Sequence, residues 1–318
     1  MAKPIYSLVI PIYNEEETLP ELHRRLSELM ERLDAETEII MVDDGSSDQS
    51  FQIMSDISRR DKRFKIIQLS RNFGHQTAIT AGMDSATGEA VIIMDADLQD
   101  PPEVALDMIA RWREGYEVVY GARDEREGES VFKKATAAVF YRTLRKLTDL
   151  DIPLDVGDFR LVDRKAMDVF NTMREHSRYV RGMFSWIGFK QTGVKYKRSS
   201  RFAGSTKYPL KKMLKLAMDG VISFSTAPLR LALNAGFFIA AISFLAGTWA
   251  IFVKLFGSGV IPGWTSILVV VSFMNGVQLI LIGLLGEYIG RIYEEVKGRP
   301  LYIVKASRGF PENSISEE

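Results

Sequence analysis

The chain has 318 residues, of which 46% are hydrophobic and 26% are charged, and its 41 basic side chains balance its 41 acidic ones. This length is long for one compact domain and predicts two parts, or one part with a substantial appendage. The absence of cysteine excludes disulfides, thiolate metal sites and a cysteine nucleophile.

The first 125 residues alternate short apolar runs with segments of helical periodicity. The segment ETLPELHRRLSELMERL, for example, repeats apolar residues at helical spacing. Alternating strands and helices predict an α/β fold, with a parallel sheet covered by helices on both faces. The predicted strands are SLVIPI (7–12), EIIMVDD (38–44), FKIIQLS (64–70), AVIIMDAD (90–97) and EVVYGA (117–122).

Polar residues follow the first four predicted strands, as PIYNE, DDGSSD, RNFGH and DADLQD. Ligands of open α/β sheets bind beyond the carboxyl ends of the strands. These four ends therefore predict one site.

The acids after the fourth strand predict a metal site. Residues two apart in an extended strand point the same way, so Asp95 and Asp97 can face one small volume. Carboxylates suit Mg²⁺ or Mn²⁺, which are usually held by one or two carboxylates together with substrate phosphates. Gln99 is a possible third ligand if the chain stays extended. Asp100 is better explained as a helix N-cap, with Pro101 at the first helical position.

Asp43 and Asp44 allow two interpretations. Asp, Gly and Ser favour turns, and an Asx-turn accounts for DDGSSD without a ligand. However, two acids directly after a buried strand need hydrogen-bond donors, which the ribose or base of a nucleotide would supply. We favour nucleotide binding. G-x-G-x-x-G and G-x-x-x-x-G-K-[ST] are both missing, so a dinucleotide dehydrogenase or a P-loop ATPase is not expected.

Two basic segments follow, VFKKATAAVFYRTLRKL (131–147) and YPLKKMLKLAMDGVISF (208–224). Their apolar residues have helical spacing, which predicts interfacial helices near 131–148 and 209–227 with lysines toward lipid head groups. Ordinary surface helices are the alternative. Because these segments precede a predicted membrane span, we expect anionic lipid or a phosphorylated lipid as the partner, and no nucleic acid.

Two long uncharged runs predict a transmembrane hairpin, with spans at about 231–253 and 264–286. An apolar helix of about 20 residues crosses the hydrocarbon core, and these runs lack the polar stripe of a buried core helix. Basic residues flank the hairpin on the outside and not in its loop, which places both chain ends in the cytoplasm. No signal peptide precedes Tyr6. We therefore expect a multi-pass protein of the inner (plasma) membrane.

The domains predicted are a cytoplasmic catalytic domain over 1–208, the helix at 209–227, the hairpin within 228–290 and a cytoplasmic tail at 291–318. We expect the final segment SRGFPENSISEE to be disordered. Small residues four apart, such as Ser243 and Gly247, allow close helix packing. They indicate either a homo-oligomer or packing within the hairpin.

The motifs PIYNEEETL, VDDGSSD, RNFGHQTA, DADLQDPPE, DFRL and RFAGSTKYPLKKM extend from about Ile5 to Leu216. In this order they resemble the polyprenyl-phosphate branch of family-two glycosyltransferases, which includes dolichol-phosphate mannose synthase and the bactoprenyl-phosphate glucosyltransferases. The two C-terminal spans resemble the bactoprenyl subgroup.

The resemblance implies a GT-A fold in which Asp95 and Asp97 bind the divalent ion and the nucleotide. It makes Asp158, in GDFRL, the candidate base. Arg123 would receive the acceptor phosphate, with Lys134 a weaker candidate. The remaining implied positions are Pro11, Tyr13, Asn14, Glu15, Asp43 and Asp44 for the base and ribose, and Arg201, Ser205 and Lys207 for phosphates.

The implied reaction is the inverting transfer of one sugar to polyprenyl phosphate, and UDP-glucose is the expected donor. Processive synthesis is not expected, because the Q-x-x-R-W motif of polysaccharide synthases is missing. A GDP-mannose-dependent enzyme and a non-catalytic nucleotide-sugar-binding scaffold are the alternatives. A phosphate monoester is already a nucleophile at neutral pH, so we expect Asp158 mainly to orient groups. A structural pair with Arg160 or Arg164 is its other possible role.

Overall fold

The computed structural model describes residues 3–123, 156–198, 227–256 and 263–310. It divides into two compact units, one formed by Met1–Gly220 with Arg299–Glu318 and the other by Val221–Gly298. Lys134, Arg201, Ser205, Lys207 and both predicted interfacial helices lie outside the described residues, except for Ala227.

The first unit is an eight-stranded mixed sheet with helices. Its strands are β1 (Tyr6–Ile12), β2 (Thr37–Asp43), β3 (Phe64–Leu69), β4 (Ala90–Ile93), β5 (Val118–Arg123), β6 (Val156–Asp163), β7 (Gln191–Tyr196) and β8 (Val304–Arg308). Its helices are α1 (Leu19–Arg32), α2 (Ser50–Arg60), α3 (His75–Ser85), α4 (Val104–Arg113), α5 (Arg164–Thr172) and α6 (Val180–Trp186).

The sheet order is β7-β5-β6-β4-β1-β2-β3-β8. The five predicted strands are present, although β4 ends at Ile93 and not at residue 97. β1 to β4 pair in parallel as predicted, but β6 pairs antiparallel with β4 and β5, and β8 pairs antiparallel with β3. β6 and β8 are not among the predicted strands, and these two strands make the sheet mixed.

The core follows from the sequence pattern. Every residue of β1 and β2 is buried, and the middle residues of YSLVIPI and TEIIMVD are all apolar, as expected for strands covered on both faces. The buried side of α1 consists of residues at helical spacing, Leu19, Leu22, Leu26, Leu29 and Met30.

The strand order also locates the crevice in which a ligand can bind. From β1 the chain builds β2 and β3 on one side, and it then returns to place β4 on the other side of β1. In an open α/β sheet, such a reversal opens a crevice at the carboxyl ends of the two strands. Here those ends carry PIYNE and DADLQD.

Two long apolar helices form the second unit, α7 (Ala227–Phe256) and α8 (Trp264–Val296). Candidate membrane spans occupy Pro228–Trp249 and Phe273–Val296, and neither is buried. α8 extends ten residues beyond the predicted end at 286 and is about 50 Å long at 1.5 Å per residue. No described atom lies within 4 Å of a Cβ built on Gly247, so the small-residue packing expected there is not seen within the hairpin.

The chain after α8 returns to the first unit. β8 pairs with β3, so the prediction of disorder is wrong for Ser307 and Arg308. The Tyr302 hydroxyl donates a 2.8 Å hydrogen bond to Asp84 on α3. The residues after the hairpin therefore belong to the sheet domain.

At the end of the sheet opposite the crevice, the buried Glu38 side chain joins neighbouring segments by hydrogen bonds. Its Oε1 accepts hydrogen bonds from Ser7 Oγ at 2.5 Å and from the Thr87 backbone N–H at 2.8 Å. Its Oε2 accepts from Lys65 Nζ at 2.6 Å. Burial opposes the charge, but these donors outweigh it and hold the pKa of Glu38 below its ordinary value.

We expect Glu38→Gln to lower the free energy of unfolding by about 3 kcal/mol, because it leaves the Lys65 ammonium beside a neutral group. Since the folded pKa is depressed, this stabilisation is present above the ordinary pKa of 4.5 and is lost as the pH falls through the folded value. The thermal unfolding temperatures of the wild type and of Glu38→Gln, measured in detergent, should converge at acid pH. Glu21→Gln, which breaks the exposed pair with Arg24, is the control. Equal stability of the two variants would contradict this role for Glu38.

Candidate active site

The acids after β4 lie on a turn. The chain turns at Ala96 and Asp97, and Leu98 has a φ of 56°. Asp97 Oδ1 accepts a 3.1 Å hydrogen bond from the Gln99 backbone N–H. The prediction that Gln99 continues an extended strand toward a metal is therefore wrong. Asp97 is two residues from Asp95 on this turn, and its negative charge contributes to the raised pKa of Asp95.

The register of β6 brings a third acid to this edge. Ile93, the last residue of β4, pairs with Arg160 of β6 in antiparallel register, and Asp158 lies two residues before Arg160 on β6. His75, the first residue of α3, lies between Asp158 and Asp95. Its Nε2 is 3.3 Å from Asp158 Oδ2 and 3.4 Å from Asp95 Oδ1.

Arg181 is the charged partner of the Asp158 carboxylate. It donates from Nε to Oδ1 at 2.8 Å and from Nη2 to Oδ2 at 3.1 Å. The predicted alternatives, Arg160 and Arg164, are wrong. Arg160 donates to the backbone oxygens of Asp158 and Gly157, and Arg164 donates to backbone oxygens of other residues.

The three groups have displaced pKa values. Burial opposes the charge on Asp158, but Arg181 and His75 outweigh it and hold its pKa well below the usual range. Burial also opposes the charge on His75, but Asp95 and Asp158 raise its pKa to about 9. Burial raises the pKa of Asp95 to about 6, against the opposing effect of His75. These shifts favour the carboxylate form of Asp158 and the protonated form of His75.

Asp100 is not the predicted helix N-cap. α4 begins at Val104, and the buried Asp100 side chain instead accepts a 2.5 Å hydrogen bond from the Tyr196 hydroxyl. Arg198 Nε is 3.4 Å from Asp100 Oδ1, and Arg123 Nη2 is 3.8 Å from Asp100 Oδ2. Arg123 is thus at this edge of the sheet, and its role toward an acceptor phosphate stays a prediction.

The loops after β1 and β2 are joined by hydrogen bonds. Asn14, with a φ of 54°, accepts on Oδ1 from the Ser47 backbone N–H at 2.8 Å. The Glu15 backbone N–H donates to Ser50 Oγ at 2.9 Å. Pro11 is buried in β1, whereas Tyr13 is exposed. The structure therefore gathers these predicted residues beside the crevice, and their contact with a nucleotide stays a prediction.

Asp43 and Asp44 have donors within the protein. Asp43 Oδ1 accepts from the Ser46 backbone N–H at 3.0 Å, as an Asx-turn predicts. Asp44 accepts from the backbone N–H groups of Phe73 at 2.7 Å and Gly74 at 3.0 Å. The premise that a ligand must supply their donors is wrong, while nucleotide binding by either residue stays a prediction.

The turn after β4 fits a divalent ion in part. Asp95 Oδ1 is buried and makes no hydrogen bond to a described residue, although His75 Nε2 lies 3.4 Å from it. Asp95 and Asp97 supply the hard oxygen atoms that Mg²⁺ or Mn²⁺ prefers. Within the described ranges no group of three His, Cys, Asp or Glu side chains could hold a metal ion. The remaining ligands would therefore have to come from elsewhere, such as substrate phosphates and water.

Sequence reasoning missed two residues of this cluster. His75 stands in RNFGH, directly after one of the four strand ends, so the rule that found Asp95 could also have found it. Arg181 lies on a short helix away from any strand end, and no sequence signal points to it. Its place depends on how α6 packs against β6.

The chain matches the family model Glycosyl transferase family 2 over residues 7–170 and the model GtrB C-terminal hairpin over residues 227–292. Glycosyltransferase YkcC of Bacillus subtilis (strain 168) is 54% identical, over 96% of this chain and 94% of its own length. The SfII prophage-derived bactoprenol glucosyl transferase of Shigella flexneri is 42% identical, over 96% and 99%. The crystal structure of mannosyl-3-phosphoglycerate synthase from Rubrobacter xylanophilus is 17% identical, with a TM-score of 0.47 over 73% of this chain and 75% of its own.

Proposed function

The chain belongs to glycosyltransferase family 2, and from this premise we propose that it transfers one glucose from a nucleotide diphosphate sugar to polyprenyl phosphate in a membrane. The predicted fold class is confirmed, since a mixed α/β sheet domain matches the family and is followed by the apolar helical hairpin. The single observation that carries the proposal is the cluster of Asp95, His75, Asp158 and Arg181 at the crevice.

The transfer needs no proton to be removed from the acceptor. A phosphate monoester carries about −1.5 to −2 charges at pH 7, so its oxygen can attack the anomeric carbon directly. The new bond joins that oxygen to the sugar, and the bond from the sugar to the nucleoside diphosphate breaks, with its electron pair leaving on the diphosphate. Direct displacement inverts the anomeric centre, so an α-linked donor gives a β-linked product.

Asp158 is better suited to orient other groups than to act as a general base. A carboxylate whose pKa lies well below the usual range holds a proton poorly, and general bases work best with a pKa near the operating pH. We propose that it holds His75 in place at the crevice. A divalent ion held by Asp95 and Asp97 would offset the charge that builds on the leaving diphosphate.

Positive side chains are needed because two anions must meet at one carbon. Two unit charges at 4 Å repel by about 4 kcal/mol at an effective dielectric of 20. His75 and Arg123 supply positive charge in the described part of the site. Arg201 and Lys207 remain predicted contributors to phosphate binding outside it.

Membrane attachment follows from the hairpin, and its orientation is part of the proposal. β3 and β8 share one sheet, and we propose that the chain enters and leaves the hairpin on one side of the membrane. Two crossings satisfy this condition. The basic flanks favour the cytoplasm as that side. A homo-oligomer stays a prediction.

The test is a panel of labelled nucleotide sugars, incubated with the purified protein, undecaprenyl phosphate and Mg²⁺ or Mn²⁺. We expect glucose from UDP-glucose to enter the organic-extractable lipid. Label from GDP-mannose alone would establish the alternative donor. Nucleotide-sugar binding without any lipid product would favour the scaffold and overturn the proposed activity.

A further inference from the structure

The contact between Arg181 and Asp158 has the geometry of a fixed pair. The Nε and Nη2 atoms of one guanidinium plane each donate to a different carboxylate oxygen, at 2.8 and 3.1 Å. A bidentate pair of this kind restricts rotation of the carboxylate as well as neutralising it. The Asp158 side chain is 5% exposed, whereas that of Arg181 is 26% exposed. The pair therefore extends from the buried strand toward the crevice.

α6 carries Arg181 and is anchored on both sides of it. On the N-terminal side, the Val180 backbone N–H donates to Gln76 Oε1 at 3.1 Å, and Gln76 Nε2 is 3.5 Å from Asp158 Oδ2. One helical turn later, the buried Phe184 ring stacks on Phe170, with ring centroids 4.4 Å apart. Residues three apart lie on the same helix face, and the Phe184 ring also lies under the Arg160 guanidinium of β6, so Arg181 is on the face toward β6.

Arg160 offers an instructive contrast on the same strand. It is buried, its guanidinium lies over the Phe184 ring, and it donates to the backbone oxygens of Gly157 and Asp158. Those bonds hold the strand and leave the carboxylate to other donors. Structural support and carboxylate orientation are thus assigned to two different arginines.

We propose that Arg181 is a positioning residue for the transfer reaction, acting through Asp158, whose carboxylate it holds in one orientation beside His75. This inference rests on the proposed function, because it concerns the same site. Arg181 supports the geometry of the groups that take part in the transfer step, and it does not hold the nucleotide. Loss of Arg181 should therefore lower kcat and change KM for the nucleotide sugar little.

The experiment is a double-mutant cycle in the glucose transfer assay. We expect Arg181→Met to lower kcat by about 10- to 50-fold, from the loss of hydrogen bonds to a charged group. Arg181→Lys should retain more activity than Arg181→Met, since it keeps the charge but loses the planar fork. In an Asp158→Asn background, Arg181→Met should lower kcat by less than about a further threefold, because the effects of residues that act as a unit are not additive.

Arg113→Met is the matched control. It breaks another two-oxygen arginine pair, with Asp34 at 2.7 and 2.6 Å, on the C-terminal turn of α4. We expect normal kcat for this variant, and thermal unfolding shows whether each variant is folded. If Arg181→Met fails to fold, the double-mutant cycle is measured with Arg181→Lys, both alone and in the Asp158→Asn background.

Two failures are distinguishable. A wild type that makes no glucosyl lipid overturns the proposed function, and the positioning role falls with it. An active wild type together with an equally active Arg181→Met overturns the positioning role alone. The positioning role is also overturned if the losses of kcat in the two single variants multiply in the double variant, or if Arg181→Met changes KM alone.

Discussion

Asp158→Asn is expected to lower the rate of sugar transfer by at least about 100-fold, the scale of loss when reacting groups are misplaced. An amide has one oxygen where the carboxylate has two, so it cannot accept both hydrogen bonds from Arg181. It also leaves two cations, Arg181 and His75, without their shared counter-charge. The volume hardly changes, so the loss reports on charge and orientation.

The pH dependence of this variant separates an orienting role from that of a base. Burial opposes the charge on Asp158, but Arg181 and His75 outweigh it and hold its pKa well below its ordinary value, so the group does not titrate near neutral pH. An inflection near pH 6 then belongs to the second ionisation of the acceptor phosphate. We expect both proteins to show that inflection at saturating metal ion. Its disappearance in Asp158→Asn would instead assign the base role to Asp158.

Asp168→Asn is the control for the loss of one carboxylate. Asp168 is exposed on α5 and lies 3.5 Å from Arg164 Nη1. Exposed ion pairs contribute little, so activity and the pH profile should match those of the wild type.

Asp95→Ala and Asp97→Ala are expected to reduce transfer further, by about 10³-fold each, the upper range for loss of one preorganised electrostatic contact. Asp95 has a buried oxygen without a hydrogen-bond partner among the described residues, and Asp97 lies on the adjoining turn. Each substitution removes an oxygen donor that fits a divalent ion. Initial rates and calorimetric titration of Mn²⁺ in the presence of nucleotide measure the effect.

Asp107→Asn controls for a lost negative charge near the same segment, because Asp107 is exposed in the first turn of α4. It should bind Mn²⁺ with nucleotide and transfer sugar like the wild type. If Asp95→Ala retained normal ion binding, the carboxylate pair would not be the metal site.

Patterns along the chain predicted what depends on local periodicity. The apolar runs located β1 to β5, and the carboxyl-end rule located Asp95, Asp43 at the end of β2 and the loop that carries Asn14. Gln99 and Asp100 were misassigned because the chain turns at Ala96, and a turn cancels the alternation of an extended strand.

Contacts made over long sequence distances could not be predicted in this way. Arg181 meets Asp158 only because α6 packs on β6, and Asp158 meets Asp95 only through antiparallel pairing. β8 pairs with β3 across more than 230 residues of chain, including the hairpin. One sequence contains no signal for such pairings, whereas each is explicit in the register of the sheet.

Removal and return of the divalent ion is the measurement closest to the central claim. Wild-type protein treated with EDTA should transfer no glucose from UDP-glucose to undecaprenyl phosphate, and added Mg²⁺ or Mn²⁺ should restore the rate. The same addition should leave Asp95→Ala and Asp97→Ala inactive. An undiminished rate in EDTA, or full activity of either variant, would contradict the account.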